Sequence, residues 1–159
     1  MEQEQISGVF RLRGSLRIAL NDLDGNLIEE RIVQNVVVTQ GRSWVLGQLQ
    51  TVNQVTAQAI GWLAIGTSTV APATGDVLLG SEVTRVAIGT WVTSTLTVNP
   101  PSWQAQASFA SNIGNTTIGE CGLFNSSGAN SATLLGHATF TSFSKTTSNT
   151  LTISYTISG

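Results

Sequence analysis

The sequence predicts an all-β fold, an antiparallel sandwich or jelly-roll-like barrel with one short helix. Three observations lead there. Apolar and polar residues alternate with period two, most cleanly near the end, where Leu151, Ile153, Tyr155 and Ile157 interleave with Thr150, Thr152, Ser154, Thr156 and Ser158. Turn-forming residues, among them 16 glycines, separate these stretches at short intervals. Charged residues make up only 10% against 41% hydrophobic, so polarity is carried by Thr, Ser, Asn and Gln, which suit half-buried pleated strands. A chain of 159 residues can bury one sizeable core, and the expectation is a single domain over 1–159.

Residues 9–20, "VFRLRGSLRIAL", place Phe10, Leu12, Leu16, Ile18 and Leu20 on one strand face and Arg11, Arg13, Ser15 and Arg17 on the other. "DLDGNL" follows, and Asp-Gly between apolar runs signals a hairpin. The return strand is Leu27 to Val38. Neither a two- nor a three-residue loop matches all apolar faces, so the register stays open. Residues 1–38 thus read as an N-terminal strand arm or hairpin. Thr39 to Gln50 loses the alternation, and Trp44, Val45, Leu46 and Leu49 suit one face of a short helix. Thr39 is its expected N-cap, while Gly41 and Gly47 weaken it. Thr51 to Ala59 reads as a loop.

Gly61 to Gly66 is a short apolar run expected to be a buried strand. "TSTVAPATGD" is a loop, with Asp76 expected to cap one helical turn at Val77 to Leu79. Strands follow at Val83 to Val92, at Val92 to Val98 and at Trp103 to Phe109. The Pro100-Pro101 pair ends the middle one, because proline cannot donate to a ladder. Two more strands flank the turn "NSSGANS", and the Thr-rich strand closes the chain.

Net charge is −2, and seven basic residues are too few for a phosphate-binding stripe, so no nucleic-acid partner is expected. No apolar run reaches 18 residues, and no membrane partner is expected. The acidic start "MEQEQ" lacks the basic region of a signal peptide, and a single cysteine cannot form an internal disulfide. Synthesis in a reducing cytoplasm is the expectation.

Cys121 and His137, the sole members of their kinds, lie on neighbouring strands and raise the question of a Cys–His hydrolase. No family signature surrounds the cysteine, and a free cysteine commonly acts as a small buried hydrophobe. One Cys and one His are too few for zinc. "NDLDGN" has alternating acidic residues, but its glycine and distal glutamate miss the EF-hand positions. There is no Gly-Lys-Thr/Ser phosphate loop and no Gly-x-Ser-x-Gly elbow. The expectation is therefore no catalytic residue, no cofactor, no metal and no enzymatic activity. The row Arg11, Arg13, Arg17 is either a solvated strand face opposite Glu29 or Glu30, or a contact for an acidic protein surface. The last strand is long and uncharged, so it lies centrally or its edge meets another chain, and Leu151, Ile153 and Tyr155 are the candidates for subunit packing.

Two blocks carry a resemblance. "WLAIGTSTVAPATGDVLLGSEVTR" is an apolar strand, a Gly-Thr loop with proline and a Leu-Glu turn. "GECGLFNSSGANSATLLGHATFTSFSKTTSNTLTISYTIS" is a Glu-x-Gly-Leu-Phe-Asn strand, a Gly-Ser turn, a Leu-Leu strand and a Thr-rich terminal strand. Together they are similar to β-rich virion proteins of tailed bacteriophages, which include capsid decoration (cement) proteins and small tail-fibre or collar components. The likeness spans about the last two-thirds of the chain. It implies a structural role on the outer capsid surface of a virion, a homotrimer, and the major capsid protein as partner, with Arg11, Arg13 and Arg17 toward the shell. The same likeness admits a tail-fibre or baseplate component that contacts a host receptor or glycan. An exposed Trp91 or Trp103 beside Gln or Asn would favour that second role.

Overall fold

The structure is a computed structural model that describes residues 12–50, 60–93, 102–128 and 132–158. Among these described residues nine strands form one antiparallel, curled sheet, a half-barrel: β1 Arg13–Asp22, β2 Leu27–Val37, β3 Trp62–Gly66, β4 Glu82–Ala87, β5 Thr90–Thr93, β6 Ser102–Phe109, β7 Thr117–Phe124, β8 Leu134–Ser144 and β9 Asn149–Ser158. One helix, α1 Thr39–Gln50, is present among the described residues. The strand order is β4-β3-β7-β8-β2-β1-β9-β6-β5. The all-β expectation holds. Arg11, the Thr51–Ala59 loop and the stretch from 94 to Pro101 lie outside the described residues.

The expected hairpin forms, and its register explains why no simple loop satisfied both faces. Leu16 pairs with Val33, Ile18 with Arg31 and Leu20 with Glu29, with an irregularity between Leu20 and Asn21. Leu16, Ile18 and Leu20 are buried inside the curl, whereas Ile28 and Ile32 of β2 point outward and are exposed. The apolar residues of β2 therefore split between faces: Val33 packs on the core side with Leu16, and Ile28 and Ile32 do not. Gly25 closes the turn at φ 88°, a conformation that side-chain-bearing residues avoid. Asp22 accepts from the Asn26 amide at 2.8 Å. The hairpin is part of the sheet and does not project as an arm: β1 is bonded to β2 on one side and to β9 along its whole length on the other.

β2 turns the sheet. Along most of its length it pairs only with β1, and at Val36 and Val37 it passes to β8. The strand expected at Val83 to Val92 breaks into β4 and β5, and this break brings the two ends of the curl together. The Ile88 N–H donates to Gly61 O at 2.8 Å and the Gly89 N–H to Gln106 O at 3.0 Å. One continuous segment thus edges both ends of the sheet.

The inner face holds the main core, including Leu16, Ile18, Ile65, Phe109, Leu123, Leu151, Ile153 and Tyr155. Burying side chains of this size stabilises by roughly 1.5–3 kcal/mol each. β9 is central, between β1 and β6. Leu151, Ile153 and Tyr155 are thereby corrected from subunit contacts to core: all three are buried in this chain's own interior, with no surface left for a neighbour. The Tyr155 hydroxyl takes its hydrogen bond from Asn35 of β2.

A second apolar cluster, with Val38, Ala64, Leu79, Phe124, Ala132 and Leu134, lies on the outer side of β3, β7 and β8. Residues 67–81 pack there through Leu79, whereas helix α1 lies against β8 and packs Trp44 on the main core. The helix begins one residue earlier than its expected cap. The Val38 carbonyl accepts the first helical bond, from Arg42, while the Thr39 N–H donates to Thr74 O at 2.7 Å. Gly41 costs helix propensity but lets α1 approach β8, since a Cβ there would sit 2.6 Å from Leu135 Cα. Leu46 of the expected apolar face is exposed.

Candidate functional site

Three places on the molecule concentrate chemistry. The first lies where residues 67–81 cross the outer face of β7 and β8. The ends of this segment join, with the Thr67 N–H donating to Ser81 O at 2.9 Å, so it forms an Ω-loop. Beneath it, Glu120 of β7 is 0% exposed. Its carboxylate accepts from the backbone N–H groups of Ser81 at 2.6 Å, Gly80 at 2.9 Å and Ser68 at 3.3 Å. His137 of β8 adds a fourth contact, Nε2 to Glu120 Oε2 at 3.0 Å. The other ring nitrogen, Nδ1, meets Asp76 Oδ2 at 2.7 Å, and the same carboxylate oxygen accepts from the Ala73 N–H at 2.8 Å. Asp76 therefore closes a turn and a histidine contact. The helical turn expected at Val77 to Leu79 does not form.

The electrostatics follow from these contacts. Burial alone lowers the pKa of His137, but hydrogen bonds and charge from Glu120 and Asp76 outweigh it and hold the imidazole above its ordinary value. Burial alone raises Glu120, but His137 and the three loop amides bring it below the carboxylate range. Asp76 is likewise raised by burial and brought down further by the Ala73 amide and His137. The contacts favour an imidazolium, one positive charge shared by two carboxylates.

This arrangement resembles a catalytic triad only in composition. In a nucleophile–His–acid site one ring nitrogen is oriented by the acid and the other faces the nucleophile. Here both nitrogens face carboxylates. Cys121 does not join them. It pairs with Ala138 while His137 pairs with Gly122, so the two side chains leave opposite faces of the sheet. Cys121 is buried in the inner core, and burial, then the charge of Glu120, pushes its thiol pKa up, away from a reactive thiolate. No group of His, Cys, Asp and Glu able to hold a metal occurs among the described residues. The sequence signalled His137 only by rarity, as its single histidine, and Glu120 only as the neighbour of the single cysteine. Nothing in it signalled Asp76 as their partner, since 61 positions separate it from His137.

The second place is the outer face of β1 and β2. Arg13 and Arg17 are exposed there. Arg17 forms an ion pair with Glu30, as expected for a solvated strand face. Beside it Ile32 is 71% exposed and Ile28 56%. The sequence patterning had not assigned either isoleucine to a surface.

The third is an aromatic pocket at one end of the curl. Trp44 of α1, Trp91 of β5, Trp103 of β6 and Ile60 line a space of about 360 Å³. The Trp91 and Trp103 rings are 4.6 Å apart and tilted by 39°. Trp91 is 42% exposed.

Fold and sites together define a class: a curled antiparallel β module whose buried charges fasten an Ω-loop and whose outer surface carries apolar and aromatic side chains. No protein family, no curated protein and no solved structure matches this chain.

Proposed function

We propose that this protein is a non-enzymatic structural component of a tailed-bacteriophage virion, a homotrimeric capsid decoration protein that stabilises the head shell by binding the major capsid protein. The observation that carries this reading is the outer face of β1 and β2. Ile28 and Ile32 stand exposed on either side of Glu30, which pairs with Arg17, so apolar and charged side chains alternate along this face. That composition suits a protein contact, in which desolvated apolar side chains supply affinity and charges supply orientation. The likeness of the two sequence blocks to phage virion proteins supplies the setting. The internal pairing of Glu120, His137 and Asp76 supports the absence of catalysis, because the groups that could do chemistry are engaged in holding a loop. With Leu151, Ile153 and Tyr155 in the core, the trimer contact falls on other surfaces.

The test is addition of purified protein to particles that lack it, read by electron microscopy. Density on the shell is expected, with binding weakened at least tenfold by Ile32→Asp, about 1.4 kcal/mol. Absence from the shell at saturating concentration overturns the proposal.

A second reading, a tail-fibre or baseplate component that meets a host receptor or glycan, is favoured by the exposed Trp91 stacked on Trp103. Its location in intact virions separates the two readings.

A further inference from the structure

Three of the chain's four tryptophans converge on one pocket, although they come from three separate elements. Trp91 and Trp103 are diagonal neighbours on the β5–β6 ladder. Trp91 lies opposite Ala105 and Trp103 opposite Thr93. The small Ala105 leaves room for the indole of Trp91 to lean onto Trp103. Trp103 is half-buried and anchored against the core, while Trp91 remains far more open than the core aromatics Phe109 and Tyr155. Together they form a shelf with one free aromatic surface. Trp44 and Ile60 supply the walls.

The chemistry of this shelf selects among ligands. Among the described residues the lining is three tryptophans and an isoleucine, with no charged side chain to neutralise an anion or pair with a cation. The volume of about 360 Å³ lies within the range of small-molecule sites. The site is shallow, and Trp91 is open to water, so a wholly apolar ligand would keep much of its surface wet. A pyranose ring fits both conditions. Its C–H face stacks on an indole, and its hydroxyl-bearing edge stays hydrated or meets the rim.

We infer that the Trp44–Trp91–Trp103 pocket binds a neutral saccharide, with one sugar ring stacked on Trp91. The inference deepens the receptor-contact reading and rests on it for its biological setting. A single stack is weak, and repeated copies on one particle raise the effective affinity without new contacts.

The experiment uses the full-length protein on an array of neutral and charged glycans, followed by titration of the best neutral oligosaccharide with intrinsic tryptophan fluorescence as the readout. Saturable binding with a fluorescence change is expected. Trp91→Ala should weaken it by about tenfold or more, the equivalent of roughly 1.4 kcal/mol. Trp44→Ala should also weaken it, and Trp62→Phe, on β3 in the other apolar cluster, should leave it unchanged. Circular dichroism and the unfolding midpoint establish that each variant is folded. No saturable binding to any neutral glycan overturns the inference. So does binding that survives both Trp91→Ala and Trp44→Ala in folded protein, or binding confined to charged glycans. The readings fail separately: a tail-located protein that binds no sugar removes this inference alone, and a sugar-binding protein found on the shell removes the tail reading alone.

Discussion

The outer side of the sheet has two regions built from the same strand alternation, and they handle polarity in opposite ways. Over β7 and β8 the outward residues include Glu120 and His137, and both are buried under the Ω-loop. Over β9 and β6 the outward residues are Ser, Thr and Gln, and they bond one another across the ladder: Gln104 to Thr156 at 3.2 Å, Gln106 to Ser154 at 3.0 Å, and Ser108 with Thr152 at 3.2 Å. The covered region holds full charges and the uncovered one holds none. The difference teaches that exposure does not follow polarity in this protein. A charge is tolerated under cover because four donors converge on Glu120, whereas neutral side chains on the outside need only a neighbour.

The sharpest way to break this comparison is Glu120→Ala. Removing the carboxylate leaves His137 Nε2 and three loop amides without their acceptor, so a loss of about 3–5 kcal/mol is expected, read as a lower urea midpoint. A loss below about 1 kcal/mol would mean the loop is held by Leu79 and the Thr39–Thr74 bond instead.

Next comes Cys121→Ser, on the inner face behind the same strand. A hydroxyl placed among Ile65, Leu123 and Ala138 is expected to cost about 1–3 kcal/mol. In the native wild type the thiol should resist an aromatic disulfide reagent and react only after denaturation. Rapid native labelling would contradict its placement.

Asp76→Asn should cost less, about 1 kcal/mol, because Asp76 is partly exposed and keeps its role at the Ala73 amide. Its signature is pH dependence. His137 has a raised pKa, so its stabilising contribution is complete below its ordinary 6.5 and is lost as pH rises through the raised value. Glu120 and Asp76 have lowered pKa values, so their contributions are complete above the ordinary 4.5 and 3.8 and are lost as pH falls through the lowered values. The cluster is thus most stabilising from about pH 4.5 to 6.5. Asp76→Asn should flatten the decline on the alkaline side. A wild-type unfolding midpoint that stays level or rises between pH 6 and 9 would exclude the paired imidazolium.

The smallest effect is expected on the uncovered side. Gln106→Ala breaks one neutral cross-strand bond, to the buried Ser154 hydroxyl, and should cost about 0.5–1 kcal/mol. A loss as large as that of Glu120→Ala would erase the distinction between the two regions.

Much of the scaffold was legible beforehand. The alternation in β9 and β6 put Leu151, Ile153 and Tyr155, and Ala105, Ala107 and Phe109, each on one face of its strand, and Asp24-Gly25 marked the hairpin. It did not say what that face of β9 meets: Leu151, Ile153 and Tyr155, expected at a subunit contact, lie in the core. Where alternation failed, so did the reading. Ile28 and Ile32 look like core residues by type, but pairing with β1 turns them outward. The single strand expected at Val83 to Val92 breaks at Ile88–Gly89 because its two halves serve opposite ends of the sheet. Arg13 and Arg17 were recognised as a surface row, and Cys121 as a buried thiol. The Asp76–His137–Glu120 cluster and the tryptophan pocket were not seen, since their members come from elements far apart in the chain.

The sequence by itself determined what local physics can encode: period-two strands, a glycine-closed hairpin, a short helix and a core rich enough for one domain. Only the tertiary structure decided which strand is central, which outer face is roofed by residues 67–81, and which distant side chains meet. Those outcomes depend on hydrogen bonds between strands and loops remote in sequence, and alternation within one strand says which side a residue takes but not what will lie against it.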